Sequence, residues 1–276
     1  MGNLVVKDNA LIEASHKLSE VEQRLILLAI LKGREFCDSI EQLKDKELII
    51  HASDYMNAFG VDRDASYKSL KKAVLGLFEA KWGYRTINSK GNMEVRYERF
   101  TQSAVYVENE ATVKFMFANA IIPMLVELER NFTSYEIAQV ANLQSRYAMR
   151  LYECLIRFKT SKTLTISLAE LRFRFGLLDT EYKAMGDFKK FVLDLAVKQI
   201  NTNTDITVSY EQHKQGRTIT GFTFKFKAKP KPKSAKALKD ERDPNTMDMF
   251  VPMTDNQRVA FAKKIAHLPE ASHLAK

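Results

Sequence analysis

The sequence predicts an α+β chain of two tandem winged-helix domains, each a helix-turn-helix followed by a β-wing, related by internal duplication. Three observations predict it. The string Leu70-Lys-Lys-Ala-Val-Leu-Gly-Leu77 returns as Phe188-Lys-Lys-Phe-Val-Leu-Asp-Leu195. Each copy follows a short helical stretch that stops at a Phe-Gly pair, Phe59-Gly60 or Phe175-Gly176. Each is followed by residues whose hydrophobicity alternates, the period of a β-hairpin. Agreement of several elements in the same order is the mark of one supersecondary unit used twice.

In the first unit, Ser19 and Glu22 form a capping box ahead of Arg24-Leu-Ile-Leu-Leu-Ala-Ile-Leu31, a run apolar nearly all round and therefore a central helix, with Gly33 as its expected stop. A polar connector, Arg34 to Lys46, leads to a short strand at Leu48-Ile-Ile50. A helix from Ser53 then ends at Gly60. The next helix is expected over residues 64–81, with Leu70, Val74, Leu77 and Phe78 on one face and Lys68, Lys71 and Lys72 on the other. After Trp82 the period becomes alternating: the turn Asn88-Ser-Lys-Gly-Asn92 separates two β-rich segments, and a third follows at Ala111–Phe117. Pro123 is expected to open a last short helix, Met124–Arg130.

The second unit repeats this plan. Leu143–Phe158 reads as the counterpart of the Ser19 helix, Leu164-Thr-Ile166 as the strand, and Ser167-Leu-Ala-Glu170 as a second capping box before a helix that ends at Gly176. A long helix is expected from Tyr182 to Asn201, with Leu193, Ala196, Val197 and Ile200 inward and Lys183, Gly186, Lys189 and Lys190 outward. Asp205–Tyr210 and Arg217–Phe226, joined by His213-Lys-Gln-Gly216, read as a wing with a basic tip. The expected divisions are residues 1–131, 132–227, a basic linker at 228–243 and a tail at 244–276. The stretch Ala228–Lys239 holds five lysines, two prolines and no acid, so it cannot build a core. Residues 254–266 have the spacing of one more amphipathic helix.

Composition bounds the partners. With 276 residues, 45% of them hydrophobic, the chain can bury two ordinary cores, and its formal charge of +9 favours polyanions. Cys37 and Cys154 belong to no metal-ligand or Cys-x-x-Cys spacing and read as reduced thiols. No run approaches the ~20 apolar residues that span a bilayer, and the first residues lack a signal-peptide core, so no membrane is involved and the expected location is the cytoplasm.

Catalytic alternatives find no support. None of the ten glycines sits in a Gly-Lys-Ser/Thr phosphate loop. The five histidines, at 16, 51, 213, 267 and 273, never straddle a single apolar residue as a nicking enzyme's metal site would need, and zinc spacing is absent. The chain reads as a binder with no catalytic residues, no metal and no cofactor.

The candidate DNA-binding residues are Tyr182, Lys183, Asp187, Lys189 and Lys190 on the second recognition helix, Lys214 and Arg217 on its wing, and Arg63, Lys68, Lys71 and Lys72 in the first domain. Lysines bind phosphates or guanine edges, and the first turns of a recognition helix make most base contacts. Lysines on one helix would more simply solvate an exposed face; their recurrence at equivalent places favours the DNA reading. Arg146, Arg150 and Arg157 reach phosphates or serve as partners for Glu153, and the spacing leaves both open.

At these residues the chain resembles the iteron-binding plasmid replication initiators, the RepB/RepE-like initiator superfamily. The resemblance covers residues 5–227 and is most specific at Leu18-Ser-Glu-Val-Glu-Gln-Arg-Leu-Ile-Leu-Leu28, at Phe188–Asn201, at Thr204–Glu211 and at Gly216-Arg217. The family pattern usually has Arg where Phe191 stands and often Pro at Leu195, which removes a cation from the recognition helix. The resemblance implies tandem winged helices. Monomers would bind double-stranded iterons through both domains, and homodimers joined through the N-terminal domain would repress their own promoter at an operator inverted repeat. Opening of AT-rich DNA and recruitment of the host initiator and replicative helicase would start theta-type replication. The alternative function is a winged-helix transcriptional regulator without a replication role.

Overall fold

The computed structural model describes residues 3–36, 39–126, 128 and 131–230. The expected linker and tail, the 254–266 helix and Cys37 lie outside those residues, apart from the linker's first three positions. The chain opens with β1 (Leu4–Asp8), α1 (Asn9–Glu13) and β2 (Ser15–His16). The central helix is α2 (Glu20–Phe36), and its capping box is complete: the Ser19 amide donates to Glu22 Oε2 at 2.7 Å and the Glu22 amide to Ser19 Oγ at 3.4 Å. Every residue from Leu25 to Leu31 is buried, as an apolar run on all faces requires.

Gly33 does not end this helix, which continues to Phe36. It sits inside, where a Cβ would lie 3.4 Å from a Leu43 methyl, so it serves close packing against α3 (Ile40–Leu43). Next come β3 (Leu48–His51), α4 (Ala52–Phe59) and α5 (Arg63–Glu79). Gly60, at φ +62, closes α4 in the left-handed conformation that glycine adopts without penalty. Asp62 caps α5 by accepting from the Ala65 amide at 2.9 Å.

Four strands follow rather than three: β4 (Lys81–Ile87), β5 (Met93–Arg99), β6 (Thr101–Val107) and β7 (Thr112–Phe117). A break at Phe100 splits the second expected segment. The sheets show why. β6 and β7 pair with β3 in the order β3-β7-β6, whereas β4 and β5 join β2 in a separate sheet, so the hairpin β4–β5 is an insertion between α5 and the true wing. Pro123 lies in a 3-10 turn, Ile122–Met124, that ends at Leu125, so the expected helix does not start at Met124; its residues 127, 129 and 130 lie outside the described ones.

The second half is β8 (Phe132–Glu136), α6 (Ala138–Ala141), α7 (Arg146–Ile156), β9 (Thr163–Ser167) and α8 (Leu168–Arg174). It then runs through α9 (Met185–Phe188), a π-helical turn (Lys189–Asp194), α10 (Leu195–Asn203), β10 (Ile206–Gln215) and β11 (Thr218–Ala228). Its sheet has the order β9-β11-β10, the same connectivity as β3-β7-β6. Two winged helices are therefore present, α2-β3-α4-α5-β6-β7 and α7-β9-α8-α9/α10-β10-β11. They do not have two separate cores. One contiguous apolar cluster runs from Val5 to Phe226, because α7 is buried at every position from Tyr147 to Ile156 and is covered by elements of both halves.

Candidate nucleic-acid interface

In α5 the buried positions are Ser66, Leu70, Ala73, Val74 and Leu77, the regular stripe of an α-helix. In the second recognition helix they are Phe188, Val192, Leu193, Ala196 and Ile200. The echoed strings thus begin in phase, Leu70 with Phe188, and separate from the Ala73–Phe191 pair onward, although Val74 and Val192 are both buried. Ala73 and Leu77 are 2% and 0% exposed, but Phe191 and Leu195, at the same places in the string, are 47% and 40% exposed. Leu193 is buried where its counterpart Leu75 is exposed. The cause is the π-helical turn, which takes in one extra residue and rotates everything after it.

The lysine pairs divide in the same way in both domains. Lys71 Nζ bonds Glu108 Oε1 at 3.3 Å beside the β6–β7 turn and lies 4.6 Å from the Tyr106 ring centre on β6. Lys189 Nζ donates to Gln212 Oε1 at 3.2 Å on β10. The first lysine of each pair therefore ties its helix to its wing. The second, Lys72 or Lys190, stays exposed, and Lys190 Nζ stands 5.0 Å over the Phe191 ring. A further tie joins Tyr210 Oη, as donor, to Asp194 Oδ1 at 2.6 Å. Burial and then the Asp194 carboxylate push the Tyr210 phenol well above its ordinary range, keeping it neutral.

Tyr182 and Lys183 are not in the helix, which starts at Met185. Tyr182 has φ +47 and sits in the preceding loop, its ring edge-on to Tyr147 at 6.2 Å and its carbonyl accepting from Arg172, so it braces the turn. Lys183 is exposed in that loop, and Asp187 is exposed on the first turn. The wing is tighter than expected: a bulge between His213 and Lys214 precedes a two-residue turn, Gly216-Arg217, that leaves Lys214 and Arg217 exposed at its tip. Arg63 and Lys68 are exposed on α5. Among the described residues, no acidic side chain pairs with Arg63, Lys68, Lys72, Lys183, Lys190, Lys214 or Arg217.

A cleft of about 570 Å³ lies between the loop that enters α5 and the second recognition helix, lined by Val61 and Asp62 before α5, Glu20 and Arg24 of α2, and Gln199 and Asn203 of α10. Gln199 also caps α7, its Oε1 accepting from the Gln144 and Ser145 amides at 2.9 and 3.0 Å.

Of Arg146, Arg150 and Arg157, on α7 and at its C-terminal cap, two are structural. Arg150, 2% exposed, donates to the carbonyls of Ile12 and Ala14 at 2.8 and 2.7 Å and to Glu153 Oε2 at 3.2 Å. Arg157 pairs with Glu13. Glu153 Oε1 accepts from Lys7 Nζ and Tyr135 Oη, both at 2.6 Å. With Arg174–Glu13 at 2.8 Å, Arg85–Glu170 at 2.7 Å and Lys17–Glu181 at 2.7 Å, these pairs bind residues 7–17 and the β4–β5 hairpin to α7, α8 and the loop after it. Glu170 is drawn off by Arg85 and Arg174, so only half of the second capping box forms, the Glu170 amide donating to Ser167 Oγ at 3.1 Å.

Sequence reasoning missed Gln212, Glu108 and Lys7 as partners. Gln212 was within reach of it, because the alternation that turns Val208 and Tyr210 toward the helix puts Gln212 on the same face.

Family models of initiator replication proteins match both halves, the WH1 domain over residues 4–156 and the WH2 domain over residues 167–226. The chain belongs to the replication initiator family. An Escherichia coli replication initiation protein is 25% identical over 223 residues, 79% of this chain and 67% of that one. A 27.6 kDa E. coli protein without an assigned role is 25% identical over 219 residues, 77% of this chain and 91% of its own. The Pi initiator protein, solved in complex with iteron DNA, superposes with a TM-score of 0.67 at 20% identity, covering 83% of this initiator and 98% of Pi, and shares the fold. The initiator's family is one of DNA-binding proteins. Among the described residues it has no cluster able to hold a metal ion and no helix long and apolar enough to cross a membrane. Cys154 is fully buried, and burial pushes its thiol upward, which keeps it inert.

Proposed function

We propose that this initiator binds iterons in a plasmid origin through both winged helices and starts theta-type replication there. The observation that carries the reading is the repeated recognition geometry: in each domain one lysine braces helix to wing while its neighbour stands exposed and without an acidic partner. Lys183, Asp187, Lys190, Lys214 and Arg217 would face one stretch of duplex and Arg63, Lys68 and Lys72 the next, with Lys71, Lys189 and Tyr182 holding the geometry. Phosphate contacts fix the register, and base edges under the second helix give sequence preference.

A homodimer acting at an operator inverted repeat fits the outward face of the β4–β5 hairpin, where Met93, Val95 and Tyr97 of the edge strand β5 and Ile87 opposite Met93 on β4 are 45–71% exposed. The host initiator and replicative helicase are the partners that follow for an origin so bound, in the cytoplasm of a plasmid-bearing bacterium. Footprinting of the full chain on its own replicon tests the reading. Several evenly spaced direct repeats are expected beside an AT-rich stretch. Protection of one palindrome alone would overturn it in favour of a transcriptional regulator.

A further inference from the structure

The face of the second recognition helix that meets solvent is apolar at its centre. Phe191 and Leu195 lie one turn apart on it, Asp187 one turn before them, and Lys190 stands beside the ring. The π-helical turn is what exposes them: in α5, without that turn, the same places in the string are core. A large aromatic turned to water at the middle of a recognition helix is costly unless something covers it in the working complex.

We infer that Phe191, backed by Leu195, recognises thymine in the iteron through its 5-methyl group, an inference that rests on the DNA-binding reading above. Thymine's methyl is the apolar group that a base pair presents in the major groove, and phenylalanine is among the side chains that meet it. The surrounding charge selects DNA as the occupant. Lys183, Lys190, Lys214 and Arg217 lack acidic partners among the described residues, so an apolar protein surface docking here would strip water from Lys190, while the groove's phosphates attract it. Asp187 separates the helix's two outward stripes. A carboxylate is repelled by the phosphate backbone, so the Asp187–Phe191–Leu195 stripe lies over base edges, and the Lys190 stripe reaches toward phosphate.

The test uses the full chain and the duplex it selects from a randomised pool, with each thymine replaced in turn by deoxyuridine, which removes the methyl and nothing else. One or two positions are expected to lose about fourfold in affinity, the effect of one methyl group left in water, and the others none. Phe191→Ala should bind thymine and uracil duplexes equally, with an unchanged salt slope because no cation is lost, and with an unchanged circular dichroism spectrum because the ring is exposed. Phe191→Arg should move the selected base from thymine to guanine. Equal affinity for every uracil duplex in the unaltered chain, or discrimination that survives Phe191→Ala, would overturn the inference while leaving iteron binding intact. A lowered sedimentation mass in Phe191→Ala with thymine preference kept would overturn it too, assigning the patch to a second copy of the chain. Failure to select any site would remove both the inference and the reading beneath it.

Discussion

Glu153 is where the joint between the two winged helices is most exposed to change. It lies 3% exposed between Lys7, Arg150 and Tyr135. Burial alone would raise its pKa, but the two cations and the donated hydrogen bonds outweigh that and hold it below the ordinary carboxylate range. A carboxylate with a depressed folded pKa stabilises fully above about 4.5 and loses its contribution as pH falls through the folded value. Glu153→Gln leaves two buried cations without their counter-charge, an expected loss of about 3–5 kcal/mol in urea unfolding; a loss below 1 kcal/mol would show that water reaches the network. His16 acts in the same direction at higher pH. Burial first, then Arg150, Lys7 and Arg146, hold its pKa well below 6.5, so the unfolded chain takes up a proton that the folded chain refuses. Stability is complete above 6.5 and declines below it. The melting temperature should fall between about pH 7 and 5.5, and His16→Leu should flatten that limb. An acid limb unchanged in His16→Leu would assign the decline elsewhere. Of this network only the Arg150–Glu153 pair was legible in the sequence, as one of two readings of that arginine; the rest was not, because Lys7 and Glu153 are brought together only by the packing of β1 on β8 and of α1 on α7.

Between elements, the tie from helix to wing sets what each lysine does. Lys72→Ala and Lys190→Ala should each lower the slope of log affinity against log salt by about one, the effect of one lost phosphate contact. Lys71→Ala and Lys189→Ala should change the slope less and loosen the wing instead, read as faster amide exchange in β6 and β10. Four equal slopes would mean that the wing bonds dissolve on DNA. A second element-level contrast concerns two glycines with the same φ, +62. A Cβ at Gly60 would meet nothing within 4 Å, so Gly60→Ala costs only the left-handed conformation, about 1–2 kcal/mol. A Cβ at Gly176 would run into the His16 backbone, 2.6 Å from its carbonyl carbon, so Gly176→Ala adds a backbone clash and should cost clearly more in thermal unfolding. Both Phe-Gly stops could be read from the sequence, since the left-handed turn is local. The echoed strings could be read as well, but not the difference between them: Leu70–Leu77 and Phe188–Leu195 share a pattern that only the π-helical turn splits, and that turn answers to packing beneath the helix. Local strings likewise could not show that β4–β5 is an insertion, because pairing partners decide which hairpin is the wing.

Over the whole molecule, the doubled plan and the single core have to be reconciled. Duplication was readable because each unit carries its own caps, stops and alternation. The merging of the cores was not, since an apolar helix such as α7 looks alike whether one or two layers cover it. Its buried run from Tyr147 to Ile156 supplies the floor beneath Val192, Ala196 and Ile200 on one side and meets Ile12, Ala14 and Tyr135 on the other. Neither unit can keep its core dry if the other opens, so the two should unfold together: calorimetry is expected to give one transition, with calorimetric and van't Hoff enthalpies equal. The connector between α7 and β9 offers a place to test this, since residues 159–162 are largely exposed. Cleavage there should leave a nicked but associated molecule, because the contacts that hold the halves together are the core and ion pairs rather than that link. Residues 163–229 alone lack α7 and would expose the whole inner face of the second recognition helix, so that fragment should show no cooperative melt. Two resolved transitions in the intact chain, or a cooperative melt of the fragment, would mean that each winged helix carries its own stability and that α7 merely lies between them.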